Sequence, residues 1–173
     1  MGIKLFGVSL PLLVIFSVAV ISTAADEKGK PLITKTCRGT EFPDVCTSTL
    51  ESDSRSLKAD LKGLSRIALE LIAAKSKEAA GVAAPLLQNS TGYVSWSERT
   101  TCFDGYNSSA DRIKGDGLQY FDEGKYEKAY QTVDILNNET IYCNSFGIPQ
   151  LAQTNKFMSR FVSVVKTILH LLF

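Results

Sequence analysis

An all-α fold, an up-and-down four-helix bundle preceded by a short helical hairpin and carrying two disulfides, is what this 173-residue sequence predicts. Three observations lead there. Apolar residues recur at steps of three and four, glycine and proline are scarce within the long segments, and four cysteines follow an apolar leader. Steps of three and four put side chains on one stripe of a helix. Four stripes joined by short loops are most simply buried against one another as antiparallel neighbours.

The leader comes first in the chain. Lys4 precedes an apolar run from Leu5 to Ile21 and the small residues Ser22, Thr23, Ala24 and Ala25, the three parts of a secretory signal peptide. The rival reading is an uncleaved membrane anchor, but the polar segment DEKGK follows a good cut site at once. The expected organisation is therefore a signal peptide over 1–25 and one domain over 26–173, with no membrane span after cleavage. Within that domain 31–52 is expected as the hairpin and 54–173 as the bundle. Removing Lys4 leaves equal numbers of basic and acidic residues, which gives no pull towards nucleic acid.

The hairpin is suggested by Cys37 and Cys46, closely spaced around Gly39 and Pro43. The first bundle helix is expected from Leu57, with Leu61, Leu64, Ala68, Leu71, Ile72, Ala79, Val82 and Leu86 on its stripe. Asp53 and Ser54 lie before it as capping residues. Its length would be about 45 Å. A second helix follows the NSTG break with Trp96, Phe103, Tyr106, Ala110, Ile113 and Tyr120 on one side, weakened near its end by Gly115 and Gly117. The turn from Asp122 to Lys125 leads to a third, carrying Tyr126, Ala129, Tyr130, Val133 and Leu136. After Gly147 and Pro149, Phe157, Phe161, Val165, Ile168 and Leu172 mark the fourth.

Chemistry is harder to find. The usual base beside a nucleophile is histidine, and His170, the only one, lies in an apolar run at the end of the last helix. Asp122 and Glu123 fall in an exposed turn, where solvent keeps carboxylates ionised. No phosphate loop, dinucleotide fingerprint or nucleophile elbow appears, so neither a cofactor nor an enzyme is expected. Cys37, Cys46, Cys102 and Cys143 form an even set in a secreted chain and read as disulfides, with three pairings open. Zinc is disfavoured because there is no C-x-x-C pair. Sequons at Asn89, Asn107 and Asn138 fit passage through the secretory pathway.

The segment TCRGTEFPDVCTSTLESDSRSLKADLKGL resembles the N-terminal signature of the plant inhibitors of pectin methylesterase and invertase. Cys37, Thr40, Pro43, Cys46, Leu50, Ser52, Asp53, Arg55, Ser56, Asp60 and Leu64 carry the match. Farther on, Cys102, Tyr106 and Ala110 are similar to the family's Cys-x-x-x-Tyr-x-x-Ala helix, and 124–146 to its third helix. Departures lie at Arg99 to Thr101, at Val133 to Leu136, and at Asn144 and Ser145.

The resemblance implies a four-helix bundle with Cys37 joined to Cys46 and Cys102 joined to Cys143. It also implies non-covalent blockade of a carbohydrate-active enzyme in the cell wall (apoplast) or vacuole. Pectin methylesterase is the expected partner and acid invertase the alternative. Invertase inhibitors of the family carry Pro-Lys-Phe before the third helix. Here the turn reads Gly124, Lys125, Tyr126, and with Glu123 it supplies the expected partner contacts Glu123, Lys125 and Tyr126. Two other classes stay open: a family member without inhibitory activity, and a bundle that holds a small apolar ligand in an internal cavity.

Overall fold

The computed structural model describes Gly2 and residues 27–173, so the signal peptide expected over 1–25 lies, apart from Gly2, outside the described residues. The hairpin consists of α1 (Gly29–Arg38) and α2 (Pro43–Glu51). Proline at the first position of α2 has no amide hydrogen to leave unpaired, and Asp44 behind it faces the positive end of the helix dipole. Cys37 and Cys46 are joined, with Cα atoms 5.4 Å apart. Gly29 adopts φ +69°, and a Cβ there would lie 2.7 Å from the Leu57 carbonyl oxygen. Glycine thus lets the start of α1 sit directly on the connector to the bundle.

That connector corrects one expectation. Asp53 caps a short 3₁₀ turn, Ser54–Lys58, by accepting from the Arg55 amide. Ala59 is extended, and α3 (Leu61–Gln88) begins afresh behind Asp60, whose carboxylate accepts from the Gly63 amide at 2.7 Å. Leu57 therefore belongs to the turn and is exposed. Val82 is exposed as well, because Ala79, Ala80 and Ala83 form the inner stripe of the last turns. The 28 residues of α3 span about 42 Å.

Helix α4 (Tyr93–Arg112) runs without a break through a π-turn, Ile113–Gly117, into α5 (Leu118–Asp122). The wide turn changes the phase of the stripe. Phe121 is fully buried while Tyr120, expected inside, is only packed against the edge. A Cβ on Gly117 would stand 2.7 Å from Thr132 Oγ1, so this glycine permits close approach of α6 (Tyr126–Ser145). Trp96, also expected inside, is exposed. Cys102 pairs with Cys143, near the end of α6, so the first turns of α4 extend past it.

A 3₁₀ turn, Pro149–Leu151, leads into α7 (Ala152–His170). Helix α3 packs on α4 and α7, and α6 packs on the same two, which closes the square. Helix α2 lies on α7 and α3, and α1 lies outside on α2 and the 3₁₀ turn. The hairpin thus covers the α3/α7 edge, opposite the α4/α6 edge.

Leu64, Leu69, Ile72, Ile113, Phe121, Leu136, Phe161 and Ile168 fill the core. Burial of each such side chain stabilises by about 1.5–3 kcal/mol. One polar cluster crosses it. Tyr106 donates its hydroxyl to Asn155 Oδ1 at 2.8 Å, and Ser76 Oγ donates to the Tyr106 carbonyl at 2.8 Å. Burial pushes the Tyr106 phenol up to about 12, so it stays a donor at any ordinary pH.

His170 sits at the exposed end of α7 beside the rings of Tyr130 and Phe173. Among the described residues, no helix is long and apolar enough to cross a membrane. No group of three or more metal-ligating side chains comes together among them either.

Candidate functional site

The turn between α5 and α6 is built by its glycine. Gly124 adopts φ +75°. Its amide donates to the Phe121 carbonyl and that of Lys125 to the Tyr120 carbonyl, the paired bonds of a Schellman motif. This turn positions Glu123, Lys125 and Tyr126, the residues expected as partner contacts. Glu123 accepts from Lys125 Nζ at 2.6 Å and from Gln119 Nε2 at 2.9 Å. Those two bonds hold its carboxyl below the usual glutamate range, with the lysine bond the larger cause.

Tyr126 does not project. Its ring packs 5.1 Å from that of Phe121, with Lys62 Nζ 5.9 Å from its centroid.

Asp122 accepts two bonds from Arg66. Arg66 also binds Glu70, and Glu70 meets Arg55, which is paired in turn with Asp53. Five alternating charges therefore link the hairpin connector, α3 and the end of α5. The Arg66 guanidinium holds the Asp122 carboxyl below the usual range, and Arg55 does the same for Asp53. Sequence reasoning missed this chain, since its members are scattered and each is an ordinary surface residue alone.

A second feature is apolar. Of the ten exposed large apolar side chains among the described residues, six belong to α4 and α6: Tyr93, Val94, Trp96, Ile135, Ile141 and Tyr142. Tyr93, Val94 and Trp96 lie in the first turn of α4 and Ile135, Ile141 and Tyr142 on α6, exposed apolar side chains that a partner could cover. A signal for this exposure is present in the sequence. Ile135, Ile141 and Tyr142 fall out of phase with the inner stripe of Ala129, Val133, Leu136 and Cys143.

Asn89 is exposed at the end of α3. Asn107 is half-buried and accepts from Lys77 Nζ at 2.7 Å. Asn138 is exposed and lies well inside α6, which continues unbroken to Ser145. The main hollows are open grooves, one floored by Ala73, Ala74, Ala110 and Leu118, rather than chambers within the bundle.

The family profile described as plant invertase/pectin methylesterase inhibitor matches residues 31–164, most of the chain. The chain belongs to this family. A pectinesterase inhibitor from Actinidia deliciosa is 29% identical over 119 residues, 69% of this chain and 64% of that protein. The chain thus aligns with somewhat less than two thirds of that relative's length. Pectinesterase inhibitor 28 from Oryza sativa subsp. japonica is 46% identical over 49 residues, 28% of this chain and 22% of its own.

A crystal structure of a mutant pectin methylesterase inhibitor from Arabidopsis superposes with a TM-score of 0.67. It covers 80% of this chain and 95% of its own at 14% identity, a likeness that speaks for the fold. The family consists of inhibitor proteins, which need a rigid surface in place of catalytic groups. A pre-ordered bundle supplies one at small entropic cost on docking.

Proposed function

We propose that this protein inhibits a pectin methylesterase by laying the α4/α6 edge over the enzyme's substrate cleft in a non-covalent complex. The named relatives are pectinesterase inhibitors, which supports the choice of target. The structural observation that carries it is the turn before α6. An invertase-type probe needs a lysine and an aromatic ring free to enter a sugar pocket. Here Lys125 is engaged by Glu123 and Tyr126 is packed on Phe121. Glu123 and Lys125 then serve as peripheral contacts, with the apolar side chains of α4 and α6 at the centre.

The compartment this reading requires is the apoplast, reached with residues 1–25 removed; the vacuole is the alternative. At least one of Asn89 and Asn138 carries a glycan in this account. Asn89 is favoured, because Thr91 of its sequon is exposed whereas Thr140 of the other is buried. Parallel titration into a pectin methylesterase and an acid invertase tests the function. One-to-one loss of methylesterase activity with invertase left active is expected. Strong invertase inhibition, abolished by a K125A/Y126A double change, would reverse the assignment.

A further inference from the structure

Helix α1 is charged against the usual rule. A helix N-terminus favours acidic side chains, as in α2 and α6, whose first turns hold Asp44 and Glu127. The first turn of α1 contains no acidic residue. Lys30 stands there instead, followed by Lys35 and Arg38 in the last turn. All three are exposed. They share one shallow groove with Glu27, Pro31 and Thr34, and among the described residues Glu27 pairs with Lys35 at 2.9 Å.

From Lys30 to Arg38 the row runs about 12 Å along the helix. Lys30 opposes the dipole and adds nothing to the core, so folding does not explain its place. The sequence as a whole is nearly neutral, which makes the strip a local feature.

We propose that this outward face of α1 binds a polyuronate chain, the demethylated form of pectin. A linear polymer with a carboxylate on each sugar matches a row of cations better than any single anion does. The identity of the polymer rests on the proposed function. Each turnover of a methylesterase consumes a water and converts a neutral ester into a carboxylate, methanol and a proton. An inhibitor working there meets a polymer whose negative charge rises where its target has acted. The strip lies on the hairpin, outside the α3/α7 edge and opposite the α4/α6 edge. Polymer and enzyme can therefore be held together.

The test is direct binding of the purified protein to polygalacturonate, to highly methyl-esterified pectin and to anionic phospholipid vesicles at low and high salt. Polygalacturonate is expected to bind, the ester and the vesicles to bind far more weakly, and salt to weaken the complex by screening. A K30Q/K35Q/R38Q variant should bind at least about tenfold more weakly, as loss of several ionic contacts to a polyanion implies. An R112Q/K114Q/K156Q variant, with the same loss of net charge elsewhere, should bind as the parent does. Methylesterase inhibition by the first variant should be unchanged.

Absence of polygalacturonate binding at low salt, equal binding to the ester, preference for vesicles, or equal losses in the two variants would each overturn the proposal. Binding of polygalacturonate by a protein that does not inhibit methylesterase would instead refute the proposed function and leave the cationic face standing.

Discussion

Arg66 and Asp122, 56 residues apart, are joined by two parallel hydrogen bonds, Nε to Oδ1 at 2.8 Å and Nη2 to Oδ2 at 3.0 Å. The fork sets the plane of the carboxylate as well as its distance, so the end of α5 is held on α3. Through Glu70 and Arg55 the same chain of charges reaches Asp53. The hairpin connector and the turn before α6 are thereby registered on one helix.

Acid should weaken this registry. Asp53 and Asp122 are both held below the ordinary aspartate value of 3.8 by their arginines. A carboxyl depressed in this way contributes stability that is fully present above 3.8 and is lost as pH falls through its lower folded value. The Arg66 pair is exposed, so its share is under about 1 kcal/mol. The urea midpoint of the parent should fall between about pH 5 and about pH 3 by more than that of R66Q. Equal falls would show that the fork has no influence on acid stability.

The two disulfides should differ in worth. They close sequence separations of 9 and 41 residues, for which chain entropy gives about 3 and about 4 kcal/mol. A C102S/C143S variant should therefore lose more stability in denaturant than C37S/C46S. Equal losses would mean that the hairpin is integral to the bundle and that its staple acts on the folded state.

Most of the architecture was legible because helical periodicity is a local signal. The stripes through Leu64, Ala68 and Ile72, through Tyr106, Ala110 and Ile113, and through Phe161, Val165 and Ile168 are buried as their spacing implies. The misses have physical causes. Asp53 and Asp60 are both good caps, and spacing does not reveal that an extended Ala59 separates them. Tyr120 exchanges with Phe121 because a π-turn inserts phase that a fixed 3.6-residue count cannot foresee. Trp96 reads as core, yet α4 outruns α6. The ion chain was invisible because it depends on which helix ends meet.

Tyr106 offers a test of the buried polar cluster. Its hydroxyl donates to Asn155 Oδ1, and both side chains are buried. Tyr106→Phe should cost about 1–3 kcal/mol, because it strands a buried acceptor. Adding Asn155→Leu removes that acceptor and should recover much of the loss. A double-mutant cycle in urea measures the coupling, and a coupling near zero would show that the bond contributes nothing net.

The last prediction concerns where the inhibitory surface lies. Interface energy concentrates in a few buried aromatic anchors, while polar residues at the rim contribute little. On the α4/α6 edge, Trp96 and Tyr142 are two of the three exposed aromatic side chains, the other being Tyr93. The exposures of Trp96 and Tyr142 are 47% and 61%. Neither belongs to the core cluster or its packed fringe, so truncating them should leave the bundle intact. In the turn, Lys125 already has Glu123 and Tyr126 is already packed, so the enzyme would gain less by contacting them. Trp96→Ala and Tyr142→Ala should each weaken inhibition of a pectin methylesterase by about 2 kcal/mol or more, some thirtyfold in the inhibition constant. Their thermal midpoints should stay within a few degrees of the parent, and the K125A/Y126A double change should weaken inhibition by less than either. If that double change instead abolished inhibition while W96A and Y142A left it untouched, the docking surface would be the α5–α6 turn, and the α4/α6 edge would be wrong.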